Sequence, residues 1–180
     1  NELSVRKLKV KLTLATRKKP KKMPDNIMLC GPAGLGKTEL ARRVASCLEL
    51  PFIDVPSTSF HSLQQLITEI DRTLMAHNLK AEETGIDSGK PKMKYPPLVL
   101  FIDEAHTLSR RADDFLNLFE PKERRAVVKD IVGDFADATI LLATTDKGTL
   151  PSAFLSRFRM IDLVPYSIEE VGRLISMEFT

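Results

Sequence analysis

The chain has no tryptophan, two tyrosines, two cysteines and only eight glycines among 180 residues. No run approaches the roughly 18 consecutive apolar residues of a membrane-crossing helix, so no transmembrane segment is expected. The opening NELSVRKLKV has neither the apolar core nor the small-residue cleavage site of a secretory signal. It also starts without Met, and the sequence is expected to be a piece of a longer protein. Cys30 and Cys47 each sit in an apolar run with no metal-ligand spacing between them. Such thiols suit a reducing compartment, so a cytoplasmic protein is expected. A recognisable nucleic-acid reader module, with aromatics interleaved among basic residues, is missing too.

What remains is an ordinary globular composition, 43% apolar and 28% charged, long enough for one well-cored domain and short for two. The net charge of +3 is modest but unevenly spread. Arg6, Lys7, Lys9, Lys11, Arg17, Lys18, Lys19, Lys21 and Lys22 face a single acid, Glu2, and a smaller group follows at Lys90, Lys92 and Lys94. Two readings stay open for these: a solvated helix face with a flexible loop, or contacts to nucleic-acid phosphates.

Along the chain, Val5, Leu8, Leu12 and Ala15 fit a helix, while Leu8, Val10, Leu12 and Leu14 alternate as a strand would. Apolar runs at 26–30, 51–56, 98–102, 138–145 and 160–166 read as strands. Helical spacing marks 38–50 and 60–79, then recurs around Phe115–Phe119 and near Arg125–Phe135. The stretch 80–97 is rich in Lys, Gly and Pro and has no periodicity, so a mobile insertion is expected. Ser167 with Glu170 spells a capping box that opens a last helix. Strands alternating with helices predict an α/β fold with a central, mainly parallel five-stranded sheet.

GPAGLGKT (31–38) satisfies G-x-x-x-x-G-K-[ST] between a strand and a helix, the context in which that pattern cradles phosphates. Gly31, Gly34 and Gly36 let backbone N–H groups converge on phosphate oxygens, and the helix start adds partial positive charge. The expected nucleotide-binding set is Gly31, Pro32, Ala33, Gly34, Leu35, Gly36, Lys37, Thr38 and Glu39, with ATP or ADP as ligand. Lys37 would reach the β- and γ-phosphates, and Thr38 would ligate Mg²⁺. LVLFI followed by Asp103 and Glu104 places two carboxylates at the C-terminal end of a buried strand, where open α/β sheets bind ligands. Asp103 would hold Mg²⁺ and Glu104 would deprotonate the attacking water. The letters DEAH at 103–106 also name a class of helicases, but those carry two recombinase-like domains and an arginine-rich motif absent here. His106 at a helix start receives no catalytic role.

LLATTDKGTLPSAFLSRF (141–158), an apolar strand ending in two threonines and followed by Ser-Arg-Phe, resembles the AAA+ ATPases. With GPAGLGKTELA, LFIDEAHTLSR and PYSIEEVGRLI, the chain is similar to the RuvB-type Holliday-junction branch-migration motors. The resemblance implies a P-loop three-layer sandwich spanning 1–166 and the start of a helical lid at 167–180. It implies that Thr145 contacts the γ-phosphate or the water, and that Arg157 is an arginine finger reaching the ATP of a neighbouring subunit. A homo-oligomer follows, a hexameric ring with DNA as partner and no membrane. NELSVRKLKVKL would then be a helix. The sequence departs from that family at 77–97, which is longer than the corresponding link, and at 120–137, which does not spell its partner-binding hairpin. The adenine-contacting residues, the completed lid with its second sensor arginine, and a winged helix are not in this stretch.

Three functions therefore compete: a ring motor on nucleic acid, a switch or assembly module of the defence or transposition type, and a protein unfoldase. An unfoldase would need an aromatic between the second strand and second helix, and Phe60 is the candidate, although a buried anchor at a helix start explains it as well.

Overall fold

A computed structural model describes residues 25–165 and Ser167. The basic N-terminal segment, and the stretch after Ser167 where a last helix is expected, lie outside the described residues. In chain order the elements are β1 (Asn26–Cys30), α1 (Lys37–Leu48), β2 (Phe52–Pro56), a 3₁₀ turn Ser57–Ser59, α2 (Leu63–Ala76), β3 (Glu82–Asp87) and β4 (Lys90–Lys94). There follow β5 (Val99–Asp103), a run of 3₁₀ turns Ala105–Phe115, β6 (Arg125–Val127), β7 (Val132–Asp134), β8 (Thr139–Thr144), the one-turn α3 (Ser152–Leu155) and β9 (Phe158–Asp162).

The main sheet has the order β2-β5-β8-β1-β9, with every pairing parallel. The unbroken apolar runs of the inner strands β1, β5 and β8 have a direct cause: alternate side chains serve opposite, equally buried faces, whereas the edge strands β2 and β9 each carry exposed residues. Ile27, Leu29, Val99, Phe101, Leu141 and Ala143 meet Ala41, Val44, Ala45 and Leu48 of α1. Met28, Ile53, Val55, Leu100, Ile102, Ile140 and Leu142 meet Leu66, Ile67, Ile70 and Leu74 of α2. Each such Leu or Ile, fully buried, contributes about 1.5–3 kcal/mol. The α2 helix starts where Ser62 Oγ accepts the Gln65 N–H at 3.2 Å.

Two expectations fail. Residues 80–97 form an ordered hairpin, β3–β4, and 125–135 forms a second hairpin, β6–β7, in place of a helix. Together they make a four-stranded sheet, β3-β4-β7-β6, joined by parallel pairing of β4 with β7. Polar cross-strand pairs hold it where apolar periodicity is absent. Lys92 pairs with Asp134 at 3.0 Å, Lys94 with Asp137 at 3.2 Å, and Arg125 with Asp87. Lys90 Nζ donates to Val128 O at 3.1 Å. The basic cluster at 90–94 thus has partners on and beside its own sheet, Asp134, Asp137 and the Val128 carbonyl. Behind the charges, Tyr95 stacks on Phe135 with centroids 4.0 Å apart.

Because all strands of the main sheet run one way, it has two chemically distinct edges. The C-terminal edge gathers Gly31, Ser57, Asp103, Glu104 and Thr145. The N-terminal edge gathers Asn26, Leu98, Ala138 and Arg157, and the second sheet joins there through Tyr95–Leu98 and Phe135–Ala138.

Candidate nucleotide site

The loop between β1 and α1 is built on backbone that only glycine supplies. Gly31 has φ +151°, and a Cβ there would lie 2.5 Å from Leu163 O, against main chain that cannot give way. Gly36 is the N-cap of α1 with φ 74°, so the helix opens with no side chain capping its first N–H groups. Between them Pro32, Ala33 and Gly34 are exposed, and Leu35 anchors the loop on the α1-side core.

Lys37, 7% exposed, donates from Nζ to Gly31 O and Pro32 O, both at 2.8 Å. The ammonium is thereby held inside the loop. Thr38 Oγ1 donates to Asp103 Oδ2 at 3.4 Å across 65 residues of sequence, so the helix and the adjacent strand bring the two expected metal ligands together. Asp103 Oδ1 accepts the Glu104 N–H at 2.8 Å. Glu39 is different: its carboxylate pairs with Arg43 at 2.8 Å on an exposed face of α1, leaving its backbone as the part near the loop.

Glu104 adopts φ 54°, ψ 41°, left-handed backbone that costs a non-glycine residue about 1 kcal/mol or more. Sequence reasoning missed what holds it there. Ser57, fully buried at the end of β2, donates from Oγ to Glu104 O at 2.8 Å and accepts from Thr107 Oγ1 at 2.7 Å. His106 Nδ1 stands 3.2 Å from Glu104 Oε2. The only signal was a Ser after the second strand and a Thr three residues past Glu104, and neither is a motif.

The electrostatics follow the same edge. Burial pushes the Cys30 thiol up, Asp162 adds to this, and Lys147 and Lys37 oppose it. Lys147 pairs with Asp162 at 2.6 Å. On β2, burial pushes the Asp54 carboxyl up, Arg42 opposes it, and the Asp103 charge adds to the rise.

The two threonines at the end of β8 divide in role. Thr144 is buried; its Oγ1 donates to Asp146 O at 3.0 Å and accepts the Asp146 N–H at 3.1 Å, shaping the exit loop. Thr145 is exposed beyond the strand end, beside the phosphate loop, since Thr144 O accepts the Gly31 N–H at 3.1 Å.

Arg157 is elsewhere. It precedes β9, whose Phe158 pairs with Asn26 at the start of β1. Five residue steps of strand, about 16 Å, separate that point from Gly31. Its Nε donates to Leu116 O at 3.0 Å, its Nη1 donates to Ala153 O, and Glu120 Oε2 lies 3.7 Å away. Phe60, the candidate pore aromatic, is fully buried and sits edge-on to Phe115 at 5.6 Å.

The chain is similar to known proteins in sequence and fold. The chain is 34% identical over 182 residues to the Holliday junction branch migration complex subunit RuvB of Bifidobacterium adolescentis, covering 94% of this chain and 43% of that protein. It is 30% identical to the same subunit of Thermotoga maritima, covering 94% and 47%. Over 63 residues, 33% of its length, it is 38% identical to the ATP-dependent protease ATPase subunit HslU of Lactobacillus helveticus. The chain thus spans less than half the length of the RuvB proteins it matches. A mutant structure of Thermotoga maritima RuvB superposes with TM-score 0.70 at 25% identity, covering 98% of this chain and 50% of that one. Residues 27–166, from β1 to beyond β9, match the ATPase family associated with various cellular activities (AAA). On that match and on the site assembled at its sheet edge, the chain belongs to the AAA family of ATPases.

Proposed function

We propose that the chain is the ATP-binding and ATP-hydrolysing module of a ring-forming motor that acts on DNA, in the manner of the RuvB proteins it resembles. The observation that carries the nucleotide chemistry is the convergence of Lys37, Thr38, Asp103 and Glu104 on one sheet edge around a glycine loop. Lys37, already inside the loop, binds the β- and γ-phosphates. Glu104 takes the proton of the attacking water, and its strained backbone keeps the carboxylate at the strand end. Thr145, exposed beside the loop, binds the γ-phosphate or orients the water.

The donor set also fits a divalent cation. One carboxylate oxygen of Asp103 and the Thr38 hydroxyl stand 3.4 Å apart, and among the described residues no cluster of three or more His, Cys, Asp or Glu offers a rival metal site. Hard oxygen donors in such small number suit Mg²⁺ shared with substrate phosphates. When bound, Mg²⁺ neutralises charge on those phosphates.

Arg157 cannot serve the nucleotide of its own subunit from about 16 Å away across the sheet. It is assigned to the neighbour's nucleotide in a homo-oligomeric ring, for which a hexamer is the natural closure. Residues 1–166 form the large subdomain, and 167–180 begin the lid. The burial of Phe60 counts against a pore-loop unfoldase. Among the described residues no helix is long and apolar enough to cross a membrane, and the free thiols of Cys30 and Cys47 suit a cytoplasmic protein.

The test uses the full-length protein. ATP hydrolysis should rise with branched or duplex DNA. Stimulation by a loosely folded protein instead would point to an unfoldase, and stimulation by neither would point to the switch. Mixing Glu104→Gln with Arg157→Ala subunits should restore turnover that each lacks alone, because the first lends its arginine to the second's intact site. A silent mixture would refute the action of Arg157 across subunits.

A further inference from the structure

The edge opposite the phosphate loop contains a buried polar pair that the chemistry above does not use. Asn26 and Arg124 are 0% and 1% exposed. A buried guanidinium is costly unless its donors are met, and here the bond made by Nε leads to Arg157. Arg124 Nε donates to Asn26 Oδ1 at 3.1 Å. Asn26 Nδ2 donates in turn to Phe119 O at 2.6 Å and to Arg157 O at 3.4 Å. The Arg124 main chain closes the same turn, its N–H bonded to Glu120 O at 2.8 Å and its carbonyl accepting from Phe135 N at 2.9 Å.

That turn is also what holds the Arg157 side chain. Leu116 O accepts from its Nε, and Glu120 supplies the nearby carboxylate. The Phe119 ring packs edge-on against Phe154 and Phe158, each with centroids 5.3 Å away. The turn and the start of β9 are therefore two separate pieces of chain, and the Asn26 carboxamide bonds to a carbonyl in each.

We propose that Asn26 and Arg124 are positioning residues for Arg157, fixing the 116–124 turn against the start of β9 so that the guanidinium meets a neighbouring subunit's nucleotide at one angle. The inference rests on Arg157 acting across subunits. A cation placed across an interface tolerates little error, since a displacement of about 1 Å can cost about a hundredfold in rate. Asn26 has both capacities the joint needs, an acceptor for Arg124 and donors for two carbonyls. An aspartate of the same shape keeps the acceptor and loses the donors.

Asn26→Asp in the full-length protein is therefore the probe, read by ATP turnover and by binding of a fluorescent ATP analogue. The expected result is kcat lower by about tenfold or more, with KM and analogue affinity unchanged. Adding Glu104→Gln subunits, themselves inactive, should restore turnover, because their undisturbed Arg157 serves the intact nucleotide sites of the Asn26→Asp subunits. Arg124→Lys should behave alike, and it carries the test if Asn26→Asp does not fold. Turnover at the wild-type level, or a loss that Glu104→Gln subunits fail to rescue, would overturn the proposal. The Arg157→Ala and Glu104→Gln mixture runs alongside: its rescue with no rescue of Asn26→Asp sinks this inference alone, whereas its own failure sinks the trans reading beneath it.

Discussion

Replacing Ser57 with alanine removes one buried hydroxyl while leaving the packing volume almost unchanged. That hydroxyl donates to Glu104 O at 2.8 Å and accepts from Thr107 Oγ1 at 2.7 Å. After the change the Glu104 carbonyl keeps the Thr107 N–H at 3.0 Å but loses its hydroxyl donor, and one hydrogen bond lost in this way costs about 0.5–1.5 kcal/mol. Thr107 is only half-buried and its hydroxyl can turn to water, so the net stability loss should be about 1 kcal/mol. The functional effect follows from backbone strain. Glu104 is held at φ 54°, and the Ser57 bond joins the Thr107 N–H in opposing its relaxation into ordinary backbone. If about 1.4 kcal/mol of that restraint is lost, the carboxylate is correctly placed about a tenth of the time, and kcat should fall by about tenfold. Urea unfolding should show a lower midpoint with an unchanged slope. Nucleotide affinity should not move, because Ser57 touches neither the loop nor Lys37. Two results would refute the reasoning: a stability loss with wild-type kcat, or a kcat loss matched by an equal loss of nucleotide affinity.

Other substitutions separate the site's parts. Glu104→Gln should bind ATP as the parent does and lose turnover by at least about a hundredfold, whereas Lys37→Ala should weaken ATP binding itself; titration with a fluorescent nucleotide tells them apart. Gly31→Ala places a Cβ 2.5 Å from Leu163 O in a left-handed conformation, and calorimetry should show a loss above about 1 kcal/mol together with weakened nucleotide binding. In the second sheet, burial pushes the Asp134 carboxyl up, but the Ala136 N–H and Lys92 together hold it below its ordinary value of 3.8. A depressed folded-state value means stability that is present above pH 3.8 and is lost as pH falls through the folded value. Acid titration of unfolding should show this loss, and Asp134→Asn should flatten it.

How much of this was legible in the sequence depended on which physical signal each element leaves behind. The three inner strands of the main sheet, β1, β5 and β8, are buried on both faces, so their apolar runs stand out, and the phosphate loop announces itself through glycines that its backbone requires. The second sheet leaves no such trace. β3 is exposed along nearly its whole length, its register slips between Glu83 and Gly85, and its cohesion comes from charge pairs with partners up to some forty residues away. Local periodicity cannot encode those pairs, so 80–97 read as loose. At 125–135 the buried positions Ala126, Val128, Val132 and Phe135 imitate helical spacing while belonging to two short strands and a turn.

The site residues divide on the same principle. Lys37, Thr38, Asp103 and Glu104 were legible because their chemistry demands fixed residue types next to a strand end. Ser57, Asn26 and Arg124 were not, because their value lies in a hydrogen bond to someone else's carbonyl, which many residue types could make. Arg157 falls between: a Ser-Arg-Phe after the fourth strand of the main sheet suggests its role, but only the fold puts it on the wrong edge for its own nucleotide. That placement is what the proposed action across subunits rests on. The phosphate loop lies on one edge of the parallel sheet and Arg157 on the other, so the proposed action of Arg157 requires another subunit's phosphate edge to be brought to it. The buried Asn26 and Arg124 are where that proposal is tested.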